Sequence, residues 1–377
     1  EDGEALNTQT SISNGLRILQ RSASGVWGPL STGANANVWS LFYASDGKLY
    51  AGGEFTSIGG VAANHIAYWD GAAWNAMGTG MAGGAGTAVY AITQGPDGSI
   101  YAGGDGTDFG GVANTARLGK WNGSVWSSIT ATASANNGIL QLTFGPDGVL
   151  YAGGVFTTIN GVAAVRIAQR SVAGTWTALG GGSSLDVYSM VVSGNRLYVG
   201  GDTTAAGNYT VSYWNGSAWI STGADGASPI RGLVVAPNGT IYAAGSFTSI
   251  GGVNANLIAQ YNGVAWTPLG TGLSGGGASV SALRMLPDGT VLAAGAFTTA
   301  GGITTVQNIA RWNGSAWVFR DVDIGWPSVR AIATKIDGTL AIGGTGLTST
   351  GSAGANTTIT NLGTARAYPT IVVKGPT

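Results

Sequence analysis

Short apolar runs alternate with polar turn residues along most of the chain, and the same pattern returns about every fifty residues. One unit begins with an apolar run at Val38, passes through a Ser-Asp-Gly turn at Ser45, and reaches a second apolar run that ends in a glycine pair at Gly53. Two further apolar runs carry Trp69 and Trp74. Strand-length runs separated by turn residues predict four short antiparallel strands in each unit.

The number of units follows from the glycine that ends the second apolar run. This glycine occurs seven times, at Gly53, Gly104, Gly154, Gly201, Gly245, Gly295 and Gly344, and it is preceded by glycine in five units and by alanine in the other two. A period of about 40 to 50 residues built from strands is typical of a β-propeller blade. The sequence therefore predicts an all-β fold, a seven-bladed β-propeller of four-stranded antiparallel blades. We expect the paired glycines to allow a close approach of backbones near the propeller axis.

The N-terminal part of the repeat is only half a unit. Leu16 to Trp27 matches Val165 to Trp176, which lies in the second half of another unit. The last strand of each unit carries one tryptophan, at Trp74, Trp126, Trp176, Trp219, Trp266 and Trp317, with Trp27 as the seventh. Seven blades result only if the N-terminal outer strand pair completes the unit that begins at Val329. We therefore expect a ring closed by these N-terminal strands.

Asp-Gly and Asn-Gly dipeptides recur between the first two strands and between the last two strands of the units, as in Asp97-Gly98 and Asn122-Gly123. They predict two-residue hairpin turns in which both residues tolerate a positive φ. In an up-and-down blade these turns lie on one face of the disc, the short-turn face. The opposite, long-loop face then carries residues 54–64, 78–87, 105–115, 127–137 and 270–278. Binding residues concentrate on such loops, so the long-loop face is the candidate surface.

The C-terminal residues do not follow the repeat, although their alternation of apolar and polar residues still predicts strands. Asn361 to Pro376 reads Asn-x-Gly-Thr-Ala-x-Ala-Tyr-Pro-x-Ile-x-Val-x-Gly-Pro, which resembles the β-sandwich of distal tail proteins of long-tailed bacteriophages. The resemblance implies a propeller inserted into a tail-tip protein and exposed on the virion. The expected domains are a leading linker at 1–15, the propeller at 16–356 and strands of the parent sandwich at 357–377. The repeats themselves resemble glycine-rich Trp-Asn-Gly repeats of bacterial and phage surface proteins.

Composition narrows the choice of partners. Only 9% of the residues are charged, the formal net charge is −1, and no basic run is present, which disfavours nucleic acid and anionic membrane surfaces as partners. The absence of cysteine excludes disulfides and thiolate chemistry. No segment approaches the apolar length of a membrane span, and the first residues do not form a signal peptide. Because the chain opens without Met, we interpret it as a piece of a longer protein.

Catalytic chemistry has few candidate residues. The only histidine, His65, precedes an outer strand where other units have Ala116, Arg166, Leu257 and Asn308, so it is interpreted as an ordinary loop residue. A carboxylate pair for glycoside cleavage remains as an alternative. Its acids would be Glu54, Asp105, Asp108 and Asp202. No cofactor is indicated. Calcium is the one candidate metal, with Asp105 and Asp108 as candidate ligands, and the alternative is a turn capped by these side chains.

Thirteen tryptophans invite a comparison with sugar-binding proteins. Those of the last strands, together with Trp69, Trp121, Trp214 and Trp312, recur in register and are predicted to pack blades together. Trp39 and Trp326 fall outside this regularity, because Trp39 takes the position of Tyr90 and Tyr188 and Trp326 precedes the last blade. The candidate ligand-binding residues are Trp326, Trp39, Glu54, Asp105, Asp108 and Asp202.

The leading hypothesis is a non-catalytic adhesion or receptor-recognition module of a phage tail tip that binds a host cell-surface glycan. Its partners would be this glycan and other tail subunits. One alternative is an architectural propeller that decorates or stabilises the tail or baseplate. A third is a glycan-degrading enzyme that uses the loop acids.

Overall fold

A computed structural model of the protein describes residues 17–132, 134–203, 209–225, 228–304, 306, 308–318, 326–345, 357–360 and 370–373. Seven four-stranded antiparallel sheets form the blades of a propeller, which confirms the predicted fold class. Each inner strand contacts the inner strands of both neighbouring blades, so the seven sheets form a closed ring. The described residues include no helix that is long and apolar enough to cross a membrane.

Each blade has an inner, a second, a third and an outer strand, and the blades are numbered 1 to 7 around the ring. The inner strands are Val38–Tyr43, Val89–Gln94, Ile139–Phe144, Leu185–Ser193, Ile230–Val235, Ser279–Met285 and Val329–Thr334. The second strands are Leu49–Gly53, Ile100–Gly104, Leu150–Gly154, Arg196–Thr203, Ile241–Gly245, Val291–Ala296 and Leu340–Gly344. The third strands are Ile66–Trp69, Leu118–Trp121, Ile167–Arg170, Tyr209–Trp214, Ile258–Tyr261, Ile309–Trp312 and Ile18–Arg21. The outer strands are Trp74–Ala76, Trp126–Ser127, Trp176–Ala178, Trp219–Asp225, Trp266–Pro268, Trp317–Val318 and Trp27–Pro29.

Blade 7 joins the two ends of the repeat. The N-terminal strand pairs with Leu340–Gly344 in an antiparallel register that places Ile18 opposite Gly343 and Arg21 opposite Leu340. The sheet order confirms that the N-terminal strand pair completes the last blade. Closure of this kind removes the open edges that a row of blades would otherwise present to solvent.

The outer-strand tryptophans tie neighbouring blades together. In six blades the indole N–H donates a hydrogen bond to a carbonyl oxygen at or just after the outer strand of the preceding blade. The pairs are Trp74 with Leu30, Trp126 with Met77, Trp176 with Ile129, Trp219 with Leu179, Trp266 with Thr222 and Trp317 with Leu269, at 2.7 to 3.3 Å. Their regular recurrence is therefore explained by packing between blades, as predicted.

The glycine pair is required by two different close approaches. A Cβ atom added at Gly52 would lie 2.7 Å from a side-chain carbon of Val89 in the next blade. A Cβ atom added at Gly53 would lie 2.0 Å from the carbonyl oxygen of Asn37, on the inner strand side of the same blade. The absence of a side chain at Gly52 thus leaves room for the neighbouring blade. Its absence at Gly53 leaves room for the backbone that enters the inner strand.

The turns on the short-turn face differ from the prediction. In the turn after Tyr43, Gly47 has a φ of 83°, whereas Asp46 is not in the left-handed region. The Gly47 N–H donates to the Ala44 carbonyl, and the Asp46 carboxylate accepts a hydrogen bond from the backbone N–H of Lys48 at 3.0 Å. The expected two-residue turn with two positive φ values was therefore wrong. Aspartate acts in this turn through its side-chain cap, and only glycine supplies the positive φ.

The long-loop face carries a second layer of two-residue strands. Among the described residues, three long loops fold back on themselves, as Ser57–Ile58 pairs with Val61–Ala62, Thr158–Ile159 with Val162–Ala163, and Ser249–Ile250 with Val253–Asn254. Two further pairs join neighbouring blades, Met81–Ala82 with Asp108–Phe109 and Leu273–Ser274 with Thr299–Ala300. These loops are thereby held in place by backbone hydrogen bonds.

After the propeller, Thr357–Thr360 and Thr370–Val373 form an antiparallel hairpin, so strands occur where the C-terminal alternation predicted them. The predicted linker at 1–15 and most of the C-terminal segment lie outside the described residues. Their assignment to a linker and a parent domain stays a prediction.

Candidate binding site at the channel mouth

Every inner strand contains a β-bulge at the same place, immediately after its first buried aliphatic residue. In blade 1 the pairing passes from Val38 to Ser40 and leaves Trp39 as the extra residue. A bulge redirects the side chain of the extra residue, in this fold toward the propeller axis. The seven extra residues, called the mouth ring, are Trp39, Tyr90, Leu140, Tyr188, Arg231, Ser281 and Arg330. All seven line a central channel with a volume of about 790 Å³.

The mouth ring lies at the long-loop end of the channel, because each bulge is where the chain enters the inner strand from a long loop. The residue that follows the glycine pair leaves the second strand at the same end. We call this the post-glycine position, and its residues are Glu54, Asp105, Val155, Asp202, Ser246, Ala296 and Thr345. Three of the four acids predicted from the sequence therefore stand at equivalent places beside the channel mouth.

Trp39 and Glu54 form the pair in blade 1. The half-buried indole N–H of Trp39 donates to one carboxylate oxygen of Glu54 at 3.0 Å. The side-chain amide of Asn37 donates to the other oxygen at 2.9 Å. Both carboxylate oxygens thus have fixed donors, and Glu54 holds the orientation of the tryptophan ring at the mouth.

Tyr90 and Asp105 repeat this arrangement in blade 2. The Tyr90 hydroxyl donates to Asp105 Oδ2 at 3.2 Å, and the Ala88 backbone N–H donates to Oδ1 at 2.8 Å. Burial, together with the charge and hydrogen bond of Asp105, raises the pKa of Tyr90 well above its ordinary value. The tyrosine therefore stays a protonated hydrogen-bond donor at neutral pH.

Tyr188 occupies the equivalent place in blade 4. Burial and the nearby charges of Asp186 and Asp202 raise the pKa of Tyr188. Arg231 opposes this shift, and its guanidinium carbon lies 5.3 Å from the centroid of the Tyr188 ring. Asp186 forms an ion pair with Arg166 of blade 3, which leaves Asp202 as the acid paired in position with this tyrosine.

Arg330 extends the site into blade 7. Its guanidinium carbon lies 5.1 Å from the centroid of the Trp39 ring, a cation–π contact that joins the last blade to the first. Burial lowers the pKa of Arg330, the charge of Arg231 lowers it further, and Glu54 opposes both effects. The two arginines at the mouth are therefore close enough to repel each other.

Trp326 requires a correction. It is only 3% exposed and packs in a core cluster with Leu292, Ile309 and Val329. The side-chain amide of Asn308 donates to the Trp326 carbonyl and ties the loop to blade 6. The equivalent loop carbonyls of Ala34 and Ala135 accept from Arg17 and Arg117. Trp326 thus belongs to a repeated link between blades, and its buried ring does not reach a ligand at the surface.

Asp105 and Asp108 have separate partners. Asp105 faces the channel mouth, whereas Asp108 accepts a hydrogen bond from the Gly111 N–H at 2.8 Å within its own loop. Blade 2 has Gly106 where blades 1, 3, 5 and 6 have a phenylalanine, as at Phe55, and this difference has a packing cause, because Met81 fills the space beside Gly106. No group of three or more potential metal ligands occurs among the described residues.

His65 occupies a repeated left-handed position before the third strand. Its φ is 67°, and Arg117, Arg166, Leu257 and Asn308 have φ values of 62° to 67° at the same place. The blade 2 equivalent is therefore Arg117, and the alignment with Ala116 was wrong by one residue. Burial lowers the pKa of His65, which is 6% exposed. The histidine serves the backbone geometry of the repeat, in line with its interpretation as an ordinary loop residue.

The two arginines of the mouth ring were not predicted as site residues from the sequence. Arg231 and Arg330 look like isolated surface charges until the bulge is known, because simple alternation does not predict which face the second residue of a strand presents. The repeated valine or isoleucine that precedes them is the signal that would have placed them in register with Trp39. The seven residues after it then form one set.

Comparison with known proteins supports this architecture. Residues 44–67 and 236–263 match a family described as a domain of unknown function (DUF5122) beta-propeller. The chain is a β-propeller. A sequence comparison with curated proteins gives no match. Nothing in these comparisons indicates a phage distal tail protein.

Several solved structures of differently named proteins share this fold. The β-propeller is similar to the WD40 propeller domain of Doa1, with a TM-score of 0.56 and 14% identity over 83% of this chain and 91% of that one. It is also similar to virginiamycin B lyase from Staphylococcus aureus, with a TM-score of 0.52 and 10% identity over 81% and 94% of the two chains. A computationally designed protein, Ika8, gives a TM-score of 0.50 and 14% identity over 85% and 87%. At these identities the likeness shows the fold alone.

Proposed function

We propose that this β-propeller is a non-catalytic recognition module that binds a carbohydrate at the mouth of its central channel. The supporting observation is the set of aromatic rings that line the mouth and are hydrogen-bonded to neighbouring carboxylates, Trp39 to Glu54 and Tyr90 to Asp105. Aromatic rings offer a platform for the apolar face of a sugar, and carboxylates and arginines hydrogen-bond its hydroxyl groups. The channel volume of about 790 Å³ is sufficient for one or two sugar rings.

Binding is favoured over catalysis because the carboxylates are held by donors. Both oxygens of Glu54 and both oxygens of Asp105 accept hydrogen bonds from protein groups. A general acid must carry a proton that it can give to the leaving group. Carboxylates that already accept from two donors suit the role of fixed acceptors that orient a ligand.

The biological setting in this proposal is a phage tail tip. It is supported by the resemblance of Asn361 to Pro376 to distal tail proteins, and the ligand would then be a glycan on the host cell surface. The other partners would be tail subunits, and the protein would be exposed on the virion. Several copies on a symmetric tail would turn weak single contacts into firm attachment.

The test is binding of the purified, labelled β-propeller to bacterial surface glycans and whole cells. Changing Trp39→Ala should weaken binding by about tenfold or more, because it removes the aromatic platform and the donor to Glu54. Trp69→Ala is the matched control, since Trp69 is half-buried but packs against Trp74 in the outer part of blade 1. Circular dichroism must show that both variants fold. Equal binding by wild type and Trp39→Ala, or no binding to any glycan, would contradict the proposal.

A second candidate function is architectural, and it is favoured by apolar side chains on the short-turn face. Val172, Val264 and Ile336 stand in turns on that face and are 74%, 86% and 94% exposed. Such residues suit a contact with a neighbouring tail subunit. Replacing Val264 and Ile336 by serine should then impair particle assembly while glycan binding remains. Release of reducing ends from the same glycan samples would instead support the third hypothesis, a glycan-degrading enzyme.

A further inference from the structure

The channel mouth is divided into two sectors of opposite charge. In blades 5, 6 and 7 the mouth ring presents Arg231, Ser281 and Arg330, and the post-glycine position has no acid in any of these blades. In blades 1, 2 and 4 the mouth ring is aromatic and each ring stands beside an acid. These acids are Glu54, Asp105 and Asp202. A ligand that spans the mouth therefore meets cationic groups at one end and acceptors at the other.

The cationic sector contains polar groups without protein partners. Arg231 and Arg330 contact aromatic rings, but neither forms an ion pair within the part of the chain that the structure describes. The buried Nε of Arg330 and the buried hydroxyl of Ser281 have no hydrogen-bond partner among the described residues. Arg17, by contrast, donates to the carbonyl oxygens of Ala34 and Thr345. Buried polar atoms are normally satisfied, so these two side chains beside the channel retain hydrogen-bonding capacity that no described residue uses.

Ser281 gives this sector its shape. It stands in the mouth ring between Arg231 and Arg330, where the other blades carry the large side chains of Trp39, Tyr90, Leu140 and Tyr188. The small side chain leaves room between the two guanidinium groups. A planar anion placed there would meet the two guanidinium groups, with the small Ser281 side chain beside it.

We propose that Arg231, Ser281 and Arg330 form a subsite for the carboxylate of an acidic saccharide, an inference that rests on the proposed carbohydrate-binding function. A singly charged carboxylate suits the site better than a phosphate group, because Glu54 lies close enough to Arg330 to act on its charge. The uncharged part of the saccharide would extend toward Trp39 and Tyr90. Their rings are 6.2 Å apart and tilted by 56°, so they form an angled wall beside the subsite.

The electrostatics of the mouth agree with this assignment. The pKa of Arg330 is lowered by burial and by the charge of Arg231. Both effects disfavour the cationic form, and an anion between the two arginines would relieve the repulsion. The aromatic contacts hold the guanidinium planes in place without neutralising them.

The test compares acidic saccharides with their own neutral forms. The probes are oligogalacturonate, oligoglucuronate and oligosialate, each also tested after reduction of its carboxyl groups to alcohols, with sodium acetate as the carboxylate without a sugar. Affinity is measured by isothermal titration calorimetry, and side-chain NMR signals of Arg Nε and Trp Nε1 locate the bound probe. We expect at least one acidic saccharide to bind about tenfold more tightly than its reduced form and than acetate, with a preference that declines as salt is added.

Single-residue variants identify the side chains that cause the preference for the acidic saccharide over its reduced form. Arg231→Gln and Arg330→Gln should each reduce the acid preference by about tenfold while affinity for the reduced saccharides changes little. Arg196→Gln is the matched control, since Arg196 stacks on Tyr213 at 4.7 Å and begins the second strand of blade 4, at the short-turn face. It should retain the full preference.

The outcomes separate the inference from the function on which it rests. Equal affinity for acidic and reduced saccharides, with binding that still depends on Trp39, overturns the carboxylate subsite and leaves the carbohydrate proposal standing. Acetate that binds as tightly as the acidic saccharides also overturns the inference. Failure of every acidic, reduced and neutral glycan to bind overturns the proposed function and the subsite together.

Discussion

The guanidinium carbon of Arg330 lies 5.1 Å from the centroid of the Trp39 indole, across the junction between blade 7 and blade 1. The two residues come from opposite ends of the repeat and meet because the N-terminal strands complete the last blade. Trp39 also donates to Glu54 at 3.0 Å. Closure of the ring and assembly of the mouth are therefore linked through one tryptophan.

A double-mutant cycle of Trp39→Leu and Arg330→Gln should show this link as a coupling of about 0.5 to 2 kcal/mol in the free energy of unfolding. Each single change removes the cation–π contact, so the double variant should be less destabilised than the sum of the two. Denaturant unfolding of the four proteins measures the coupling. Simple additivity would show that the contact contributes nothing to stability.

The contribution of the tryptophan hydrogen bonds between blades to the free energy of unfolding can be measured separately from that of tryptophan packing. Trp266→Phe keeps an aromatic ring but removes the donor to the Thr222 carbonyl, 3.1 Å away. It should destabilise the protein by about 1 to 3 kcal/mol, because a buried acceptor loses its partner. Trp27→Phe is the control, since the buried Trp27 Nε1 has no hydrogen-bond partner within the described ranges. If both variants lose the same stability in denaturant, the hydrogen bond is not the cause.

Repetition made the fold predictable from the sequence. The glycine that recurs seven times, preceded by glycine in five blades and by alanine in two, gave the blade count. The tryptophan register gave both the ring closure and the packing between blades. The turn geometry was less predictable from the sequence, because Asp46 and Gly47 are consistent with either a two-residue turn or a longer one. The choice depends on the hydrogen bonds of Ala44 and Lys48, and the dipeptide alone does not specify them.

The glycine that recurs at Gly53 and its equivalents should be intolerant of any side chain. Gly53→Ala would place a Cβ atom 2.0 Å from the Asn37 carbonyl oxygen. We expect a loss of about 1 to 3 kcal/mol or more, and weaker glycan binding because the bulge at Trp39 is displaced. Gly28→Ala is the control, since a Cβ atom there meets nothing within 4 Å. Equal stability of the two variants, from thermal and denaturant unfolding, would show that the backbone can move aside cheaply.

The candidate site was only partly predictable. Glu54, Asp105 and Asp202 were candidates because they fall on or beside the long-loop face, and Trp39 because it lies outside the regular tryptophan register at a position that holds Tyr90 and Tyr188 in other blades. Arg231 and Arg330 were missed because a bulge changes which face a strand residue presents. Trp326 was misjudged because its loop looks irregular in sequence, whereas a hydrogen bond from Asn308 fixes its carbonyl and its ring lies in the core.

Calcium should not be needed for stability. The Asp105 oxygens accept from Ala88 and Tyr90, and Asp108 accepts from Gly111, so the two carboxylates are engaged separately. Calcium prefers about six to eight oxygen ligands, which such a pair does not supply. We expect the melting temperature to be the same in a chelator and in added calcium. An increase with calcium that Asp105→Asn abolishes and Asp70→Asn preserves would establish a metal site.

The stability of the β-propeller should fall at alkaline pH because of buried tyrosines. Burial, assisted by the charge of Asp337 and opposed by a hydrogen bond from Gln20, raises the pKa of Tyr43 to about 12. Burial also raises the pKa of Tyr50, and the charges of Asp46 and Tyr68 add to this shift. An unfolded tyrosine has a pKa of about 10, so the folded protein holds more protons between these values. Stability is then complete below pH about 10 and is lost as the pH rises toward about 12.

Tyr43→Phe tests the sign of this effect. The variant loses the hydrogen bond that Gln20 donates to the Tyr43 hydroxyl at 2.6 Å, so it should be less stable than wild type at neutral pH. Its stability should nevertheless fall less steeply with pH, because one of the proton-retaining groups has been removed. Denaturation midpoints between pH about 9 and about 12, with tyrosinate absorbance followed in parallel, supply the comparison. Parallel curves for the two proteins would mean that Tyr43 ionises as readily in the folded state as in the unfolded state.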